Sequence, residues 1–343
     1  MFGSFKTKII IFLIVSFILL FFLLKPHYLF LTKTLRISPL KTLFSLGSLR
    51  SYDDQVAILI LGISGGNHEG PNLSDSIIVI NYDLRSHKLI TISLPRDIWS
   101  DTLKDKINTA YSYGEAKQTH GGLKLAKAEI EAVVGMPIHY AAVIDFDKFK
   151  ELIDFIDGID VNIERSFEDK RFPIQGREND ECGGDLEYLC RYETVSFTKG
   201  KIHMDGVTAL KFVRSRNATG EEGSDFARNK RQQKILEAIK NKLFSKVKTL
   251  DLSYLNSLYK VIDKLIIRDI ENQQIALIAR NILLSRNFSQ KQINLSQNFF
   301  SVPDPTYYDG HYVLIPKDGN YNKIHHYISC LKQKGEKDNQ ACN

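Results

Sequence analysis

The sequence predicts an α/β layered domain carried behind one N-terminal transmembrane helix. Three observations lead there. A sixteen-residue run from Ile9 to Leu24 is apolar except for Ser16. Gln55–Gly62 (QVAILILG) is a continuous apolar stretch, the pattern of a strand covered on both faces. Beyond it, strand and helix patterns alternate without internal repeats, which favours one layered domain over a repeat array.

The elements follow in order. Sixteen helical residues reach about 24 Å, slightly short of a hydrocarbon core of about 30 Å. Lys8 and Lys25 bracket the run and can snorkel to make up the difference. Lys6 and Lys8 precede the span with no acid before it, so residues 1–8 should stay in the cytoplasm, residues 9–25 should span, and the rest should lie outside. A cleaved signal peptide is the alternative. The run ends in Lys25-Pro26-His27 with no small-x-small cleavage site, which favours the anchor. Residues 26–53 read as a stalk, 54–330 as the extracytoplasmic domain, and 331–343 as a polar tail.

Within the domain, Ser76–Tyr82 and Lys88–Leu94 are strand patterns separated by five polar-biased residues, as in an antiparallel hairpin. Residues 121–134 have helical period and lead into a strand at His139–Ile144. Phe146–Ile156 reads as a helix and Ile159–Ile163 as a strand; residues 164–204 read as loop. Helices follow at Asp205–Phe212, about Ser224–Lys246 with Ser224 as cap, 250–266 and 270–285, and short strands near Phe299–Val302 and Tyr312–Ile315.

Charge and cysteines narrow the partners. Lys+Arg exceed Asp+Glu by 46 − 40 = 6, too little to imply nucleic acid but compatible with an anion site. Cys182 and Cys190 lie eight apart, and Cys330 and Cys342 flank a polar tail; two local disulfides would suit an oxidising exterior. Three pairings are possible. Zinc is the alternative, disfavoured because no CxxC pair occurs.

Four clusters could carry chemistry: Ser74-Asp75-Ser76, Leu94-Pro95-Arg96-Asp97, Lys106-Ile107-Asn108, and Val213-Arg214-Ser215-Arg216 followed by Asp225, Arg228, Arg231 and Gln232. Each alone is also what a solvated surface produces. Arg214 and Arg216 alternate at strand spacing, so both can face one way, and Arg228 shares a helix face with Arg231 and Gln232. Together they match a pyrophosphate, whose clustered anionic oxygens suit planar guanidinium forks, a lysine point charge and a helix N-terminus near Asp225. Asp75 is the best-placed ligand for Mg²⁺ or Mn²⁺, which keeps waters and phosphate oxygens in its other positions. No GxSxG elbow, HExxH helix or Walker loop is present, which excludes those motif-defined hydrolases and nucleotidases.

From Ala57 to the early 240s the chain resembles the LytR-CpsA-Psr family of bacterial cell-wall enzymes. The resemblance rests on LGIS (61–64), SDSIIVI (74–80), ISLPRDIW (92–99), DKINTAYSYG (105–114), IHYAAVIDF (138–146), DFIDGIDVNI (154–163), MDGVTALKFVRSR (204–216) and DFARNKRQQ (225–233), in family order. It implies a single α/β/α domain with a central mixed sheet. It implies transfer of a glycopolymer phosphate from a polyprenyl-pyrophosphate carrier to a hydroxyl of peptidoglycan or another envelope acceptor. Asp75 would then hold Mg²⁺, while Arg96, Lys106, Arg214, Arg216 and Arg228 hold the head group with Gln232 assisting. Asp97 would orient Arg96, Asn108 would support the loop, and Arg231 would stand behind the pyrophosphate-binding residues. The polyprenyl tail would occupy an apolar tunnel between sheet and helices.

Two positions depart from the family pattern. Ser64 stands where an aspartate is frequent, and Leu73 where an arginine is common. One negative and one positive charge are absent together, so the site's net charge is unchanged; the metal would be held more weakly, or His68 or Glu69 would supply a replacement ligand. The readings that compete are a pyrophosphatase using water as acceptor, a non-catalytic module that holds a lipid-linked glycan, and a transcriptional regulator. The last fares worst, since the domain is expected outside the membrane and no DNA-binding motif occurs.

Overall fold

In the computed structural model the apolar run forms the helix Phe5–Leu29, continued by a π-turn at Phe30–Thr34. Thr7–Thr34 is long and apolar enough to cross a membrane, and none of its most apolar window is buried in the protein. The structure describes residues 5–44, 49–66, 70–177, 179–223, 225–247, 251–295 and 298–333. Ser224, His68, Glu69 and Cys342 lie outside them, as do the side chains of Asp225 and Arg228.

Six strands build a mixed sheet in the order Ile266–Arg268, Tyr140–Asp145, Gln55–Ile63, Ser74–Asp83, Lys88–Leu94, Ser289–Asn294. The Gln55–Ile63 strand runs parallel to Tyr140–Asp145 and antiparallel to Ser74–Asp83, which pairs antiparallel with Lys88–Leu94. Strand alternation sorts the side chains between two faces. Ala57, Leu59, Leu61 and Ile63 meet Leu123, Ala126, Ile130 and Val133 of the helix Gly121–Val134, with Ile324, Ile328 and Leu331 beside them. Those last three belong to the helix Asn322–Gln333, so a helix continues into the stretch read from sequence as a polar tail.

The opposite face is covered in two parts. Val56 and Ile58 pack with Tyr82, Tyr140, Ile270 and Ile278, the last from the helix Asn272–Leu284. Beside it, the helices Phe146–Phe155, Gly206–Arg214 and Asp225–Val247 and their neighbours form a second core, which Ile144 and Ile266 of the sheet join, with Ile153, Ile156, Phe212 and Ile235 among its most buried members. The result is the three-layered arrangement of helices on both sides of a mixed sheet.

Several readings of the sequence change. Residues 164–204, read as loop, contain the strands Phe167–Pro173 and Tyr192–Phe197, which pair antiparallel, and Gly200–Met204, which pairs with Ile159–Ile163. The loop between the paired strands is closed by the Cys182–Cys190 disulfide. Cys330 is also disulfide-bonded. Asp180 approaches the Cys182 and Cys190 sulfurs, but sulfurs joined to each other are not the thiolates zinc requires. Ser289–Asn294, unmarked in the sequence, is an edge strand of the main sheet.

The stretch read as a stalk is docked. A short helix, Pro39–Phe44, lies against Asn272–Leu284. Ser38 N donates to Gln273 Oε1 (2.6 Å), Gln273 Nε2 donates to Thr42 Oγ1 (2.9 Å), and Asn272 Nδ2 donates to the Leu35 carbonyl (2.8 Å). Arg280 donates to the carbonyls of Thr42 and Leu43.

Candidate functional site

A cavity of about 360 Å³ opens where the sheet's second face is left uncovered, between Ile60, Gly62, Ser76 and Ile78 on the strands and Phe146, Phe149, Leu210 and Leu236 on the helices. Gly62 lines it, and Gly65 follows Ser64, which lines it too. A Cβ on Gly62 would lie 2.6 Å from the Phe146 ring. Gly65, at φ +64°, passes so close to Asp145 that a Cβ would sit 1.8 Å from its Oδ1. Asp145 is held there because it caps the helix Phe146–Phe155, accepting from Asp147 N at 2.9 Å and Lys148 N at 3.3 Å. The side chains that line the cavity are predominantly apolar.

Its polar lining gathers residues distant in sequence. Ser64, Asp75, Arg214, Arg216, Asn217 and Gln232 all line it. Ser64 Oγ donates to Asp75 Oδ2 at 2.7 Å. Arg96 forms an ion pair with the other Asp75 oxygen and lies 3.6 Å from Asp97, whose second oxygen accepts from Lys106 Nζ at 2.9 Å. A chain of alternating charges thus runs from the cavity wall through Asp75, Arg96 and Asp97 to Lys106. Arg214 has no ion-pair partner among the described residues, so its donors are available to a ligand. Asn108 is buried, and its Oδ1 has no hydrogen-bond partner among the described residues.

Arg214 and Arg216 reach the cavity by a different route from strand alternation. Arg214 is the last residue of the helix Gly206–Arg214, and Arg216 follows in the loop. Two buried ionic side chains fix that turn, one through its N–H groups and one through its carbonyls. Asp169, fully buried, accepts from the backbone N–H of Arg216 (3.0 Å), Asn217 (3.1 Å) and Arg171 (3.0 Å). Arg231 donates to the carbonyls of Phe212 (3.0 Å), Ser215 (2.7 Å) and Glu222 (2.9 Å), pairs with the Glu222 carboxylate at 3.0 Å, and lies over the Phe167 ring. The Arg231 side chain is 4% exposed and does not line the cavity, so it acts on the site through the turn it holds. Asp169 was not singled out in the sequence, where a carboxylate among alternating charges carries no distinguishing signal.

The oxygen donors fit a small, hard cation. Asp75 offers a carboxylate with lone pairs beyond those engaged by Ser64 and Arg96, and the Ser64 hydroxyl adds a neutral oxygen 2.7 Å away. One carboxylate is what a Mg²⁺ ion that keeps its waters and takes phosphate oxygens requires.

The LytR_cpsA_psr family pattern matches residues 34–328. The chain belongs to this LytR-CpsA-Psr family. Among its relatives, the polyisoprenyl-teichoic acid–peptidoglycan teichoic acid transferase TagU of Bacillus cereus is 30% identical over 194 residues, covering 55% of this chain and 53% of that protein. The transferase TagV of Bacillus subtilis is 32% identical over 196 residues, covering 55% of this chain and 44% of TagV. The chain therefore spans about half the length of the curated relatives it matches. The crystal structure of B. subtilis TagV superposes with a TM-score of 0.52 at 24% identity, covering 83% of this chain and all of that one, and so shares the LytR-CpsA-Psr fold.

Proposed function

We propose that this protein is a membrane-anchored phosphotransferase. It moves a glycopolymer phosphate from a polyprenyl-pyrophosphate carrier to a hydroxyl of peptidoglycan or another cell-envelope acceptor. The observation that carries the reading is the mixed lining of one cavity: apolar side chains including Ile60, Ile78, Phe146 and Phe149, together with the polar groups of Asp75, Arg214, Arg216 and Gln232. A lipid pyrophosphate combines the same two characters. The family relationship to teichoic acid transferases supports it. The N-terminus would be cytoplasmic and the domain outside, in keeping with Lys6 and Lys8 before the span and a disulfide after it.

In this mechanism Arg214 and Arg216 hold the pyrophosphate, and Gln232 hydrogen-bonds an oxygen of it. Arg96 keeps Asp75 and Asp97 neutralised and shares the pyrophosphate's charge with Lys106. Asp75, with Ser64, would hold Mg²⁺ or Mn²⁺; such a cation, when bound, neutralises phosphate oxygens as a Lewis acid. The acceptor hydroxyl attacks the sugar-bearing phosphorus in line and releases its proton to solvent. The bond from that phosphorus to the bridging oxygen breaks, and polyprenyl phosphate leaves. The guanidinium groups meet the charge gathering on the leaving phosphate, so catalysis is mainly positioning and electrostatic stabilisation.

The test is transfer by the full-length protein in vesicles containing a lipid-pyrophosphoryl glycan, with peptidoglycan fragments as acceptor. The expected product is acceptor-linked glycan. Arg96→Ala and Arg214→Ala should each lower the rate by about 10²–10³, the usual effect of removing one charge-stabilising donor, without shifting the melting temperature. Free glycan as the only product, or binding without turnover, would overturn the proposal.

A further inference from the structure

A second surface, away from the cavity, bears on how the domain meets the bilayer. Leu40, Leu43 and Phe44 of the helix Pro39–Phe44, and Leu283 and Leu284 at the end of Asn272–Leu284, are each between 62% and 83% exposed. Arg280 brings the two groups together: it donates to the Thr42 and Leu43 carbonyls, and Leu283 and Leu284 follow it by three and four residues on its own helix face. Five large apolar side chains so exposed at neighbouring helix ends form a patch that a solvated surface does not favour.

The chain itself brings this patch to a membrane. About twenty residues from Ile9 exhaust a hydrocarbon core, which places Tyr28 near the outer interface. Phe30 is already half-buried, and the Leu35 carbonyl is bonded to Asn272. The rise from Tyr28 to Thr34 is only about 9 Å at 1.5 Å per residue, and that is headgroup depth. The docked Pro39–Phe44 helix therefore starts at the membrane surface instead of at the end of a free tether.

Charge agrees. Residues 1–52 contain no Asp or Glu, and neither does the stretch between Glu271 and Asp304. The same segments carry Lys33, Arg36, Lys41, Arg280, Arg286 and Lys291. Segments that carry exposed apolar side chains and cations but no acids have the composition of an interfacial helix that sits on anionic lipid.

We infer that the ends of the helices Pro39–Phe44 and Asn272–Leu284 form a membrane-lying surface that inserts into the outer face of an anionic bilayer and fixes the pose of the domain. This rests on the reading of Thr7–Thr34 as a span. Its consequence is that the domain does not swing freely on its anchor.

The test uses full-length protein in phosphatidylethanolamine–phosphatidylglycerol vesicles, with one tryptophan reporter per variant and the emission of Trp99 subtracted. Leu284→Trp probes the patch, and Leu186→Trp probes the disulfide-closed loop, where Leu186 is 90% exposed. Spin-labelled lipid should quench the first reporter several-fold more than the second, and aqueous acrylamide should do the reverse. Equal lipid quenching of the two would overturn the inference. So would shielding of the Leu284→Trp reporter from both quenchers, which would mean that a protein or a second copy covers the patch. Flotation with the vesicles reports the span separately. Protein that floats but shows no lipid quenching sinks only the surface, whereas protein that fails to float sinks the anchor and the surface together.

Discussion

Arg231 is the side chain whose loss should be most instructive, because it supports the site without touching the cavity. Methionine at this position keeps the length of the side chain and removes every donor. The carbonyls of Phe212 and Ser215 would lose their bonds, and the Glu222 carboxylate would lose its partner. Breaking a buried ionic pair by deleting one member costs about 3–5 kcal/mol. At about 2–4 °C per kcal/mol for a domain of this size, the expected fall in melting temperature is about 6–20 °C. Circular dichroism of the full-length protein in detergent would measure it. Arg231→Lys supplies the control, since it keeps the charge but loses the planar fork that spans separate carbonyls. It should recover only part of the loss. A melting temperature within about 3 °C of wild type for Arg231→Met, on the same scale, would refute the assignment of Arg231 as the clamp on the arginine-bearing turn.

Asp169→Ala should leave three backbone N–H groups without their acceptor, each costing about 1–3 kcal/mol when buried. Transfer rates at matched folded fraction should fall at least about tenfold as Arg216 loses its position, and Asp169→Asn should restore part of that. Gly62→Val should drive the Phe146 ring into the cavity, at an overpacking cost of about 1–3 kcal/mol. Its KM should rise for long-chain lipid donors more than for short-chain ones, as read from initial rates with both. His139 should make stability pH-dependent. Burial, and secondarily the nearby Arg50 charge, lower its pKa below the ordinary 6.5, and its Nδ1 accepts the Ala57 N–H at 3.0 Å. The unfolded chain takes up the proton first as pH falls, so stability should be full above pH 6.5 and decline below it until the folded-state pKa is passed. His139→Asn, which keeps an acceptor in place, should flatten that decline in denaturant titrations at pH 7.5 and 5.5.

The parts of the fold that were legible from sequence are those whose side-chain period is decided by burial. QVAILILG and SDSIIVI occupy central strands, and GGLKLAKAEIEAVV covers them with one apolar helix face. Phe167–Pro173 (FEDKRFP) was missed because charges fill its outward positions and its pairing is irregular between Asp169 and Phe172. Ser289–Asn294 (SQKQIN) offers one buried apolar residue, Ile293, since an edge strand can be solvated along most of its length. At the site, the types and spacing of Asp75, Arg96, Lys106 and Arg214 were enough to group them. The means of their meeting was not visible. Arg214 and Arg216 come together because Asp169 and Arg231 hold the turn between them, and both supports act through backbone atoms that a side-chain pattern does not encode.

The helix Asn272–Leu284 covers one part of its face of the sheet and the second core another, and the cavity lies against Ile60, Gly62, Ser76 and Ile78. On the proposed function, a bound isoprenoid would lie against Ile60, Ile78 and Phe149 as an apolar segment supplied from outside. Occupancy should then raise the unfolding temperature in proportion to the logarithm of lipid concentration. On the same proposed function, protein taken from membranes should retain an isoprenoid lipid through purification, because releasing it exposes the apolar wall at Phe146 and Phe149.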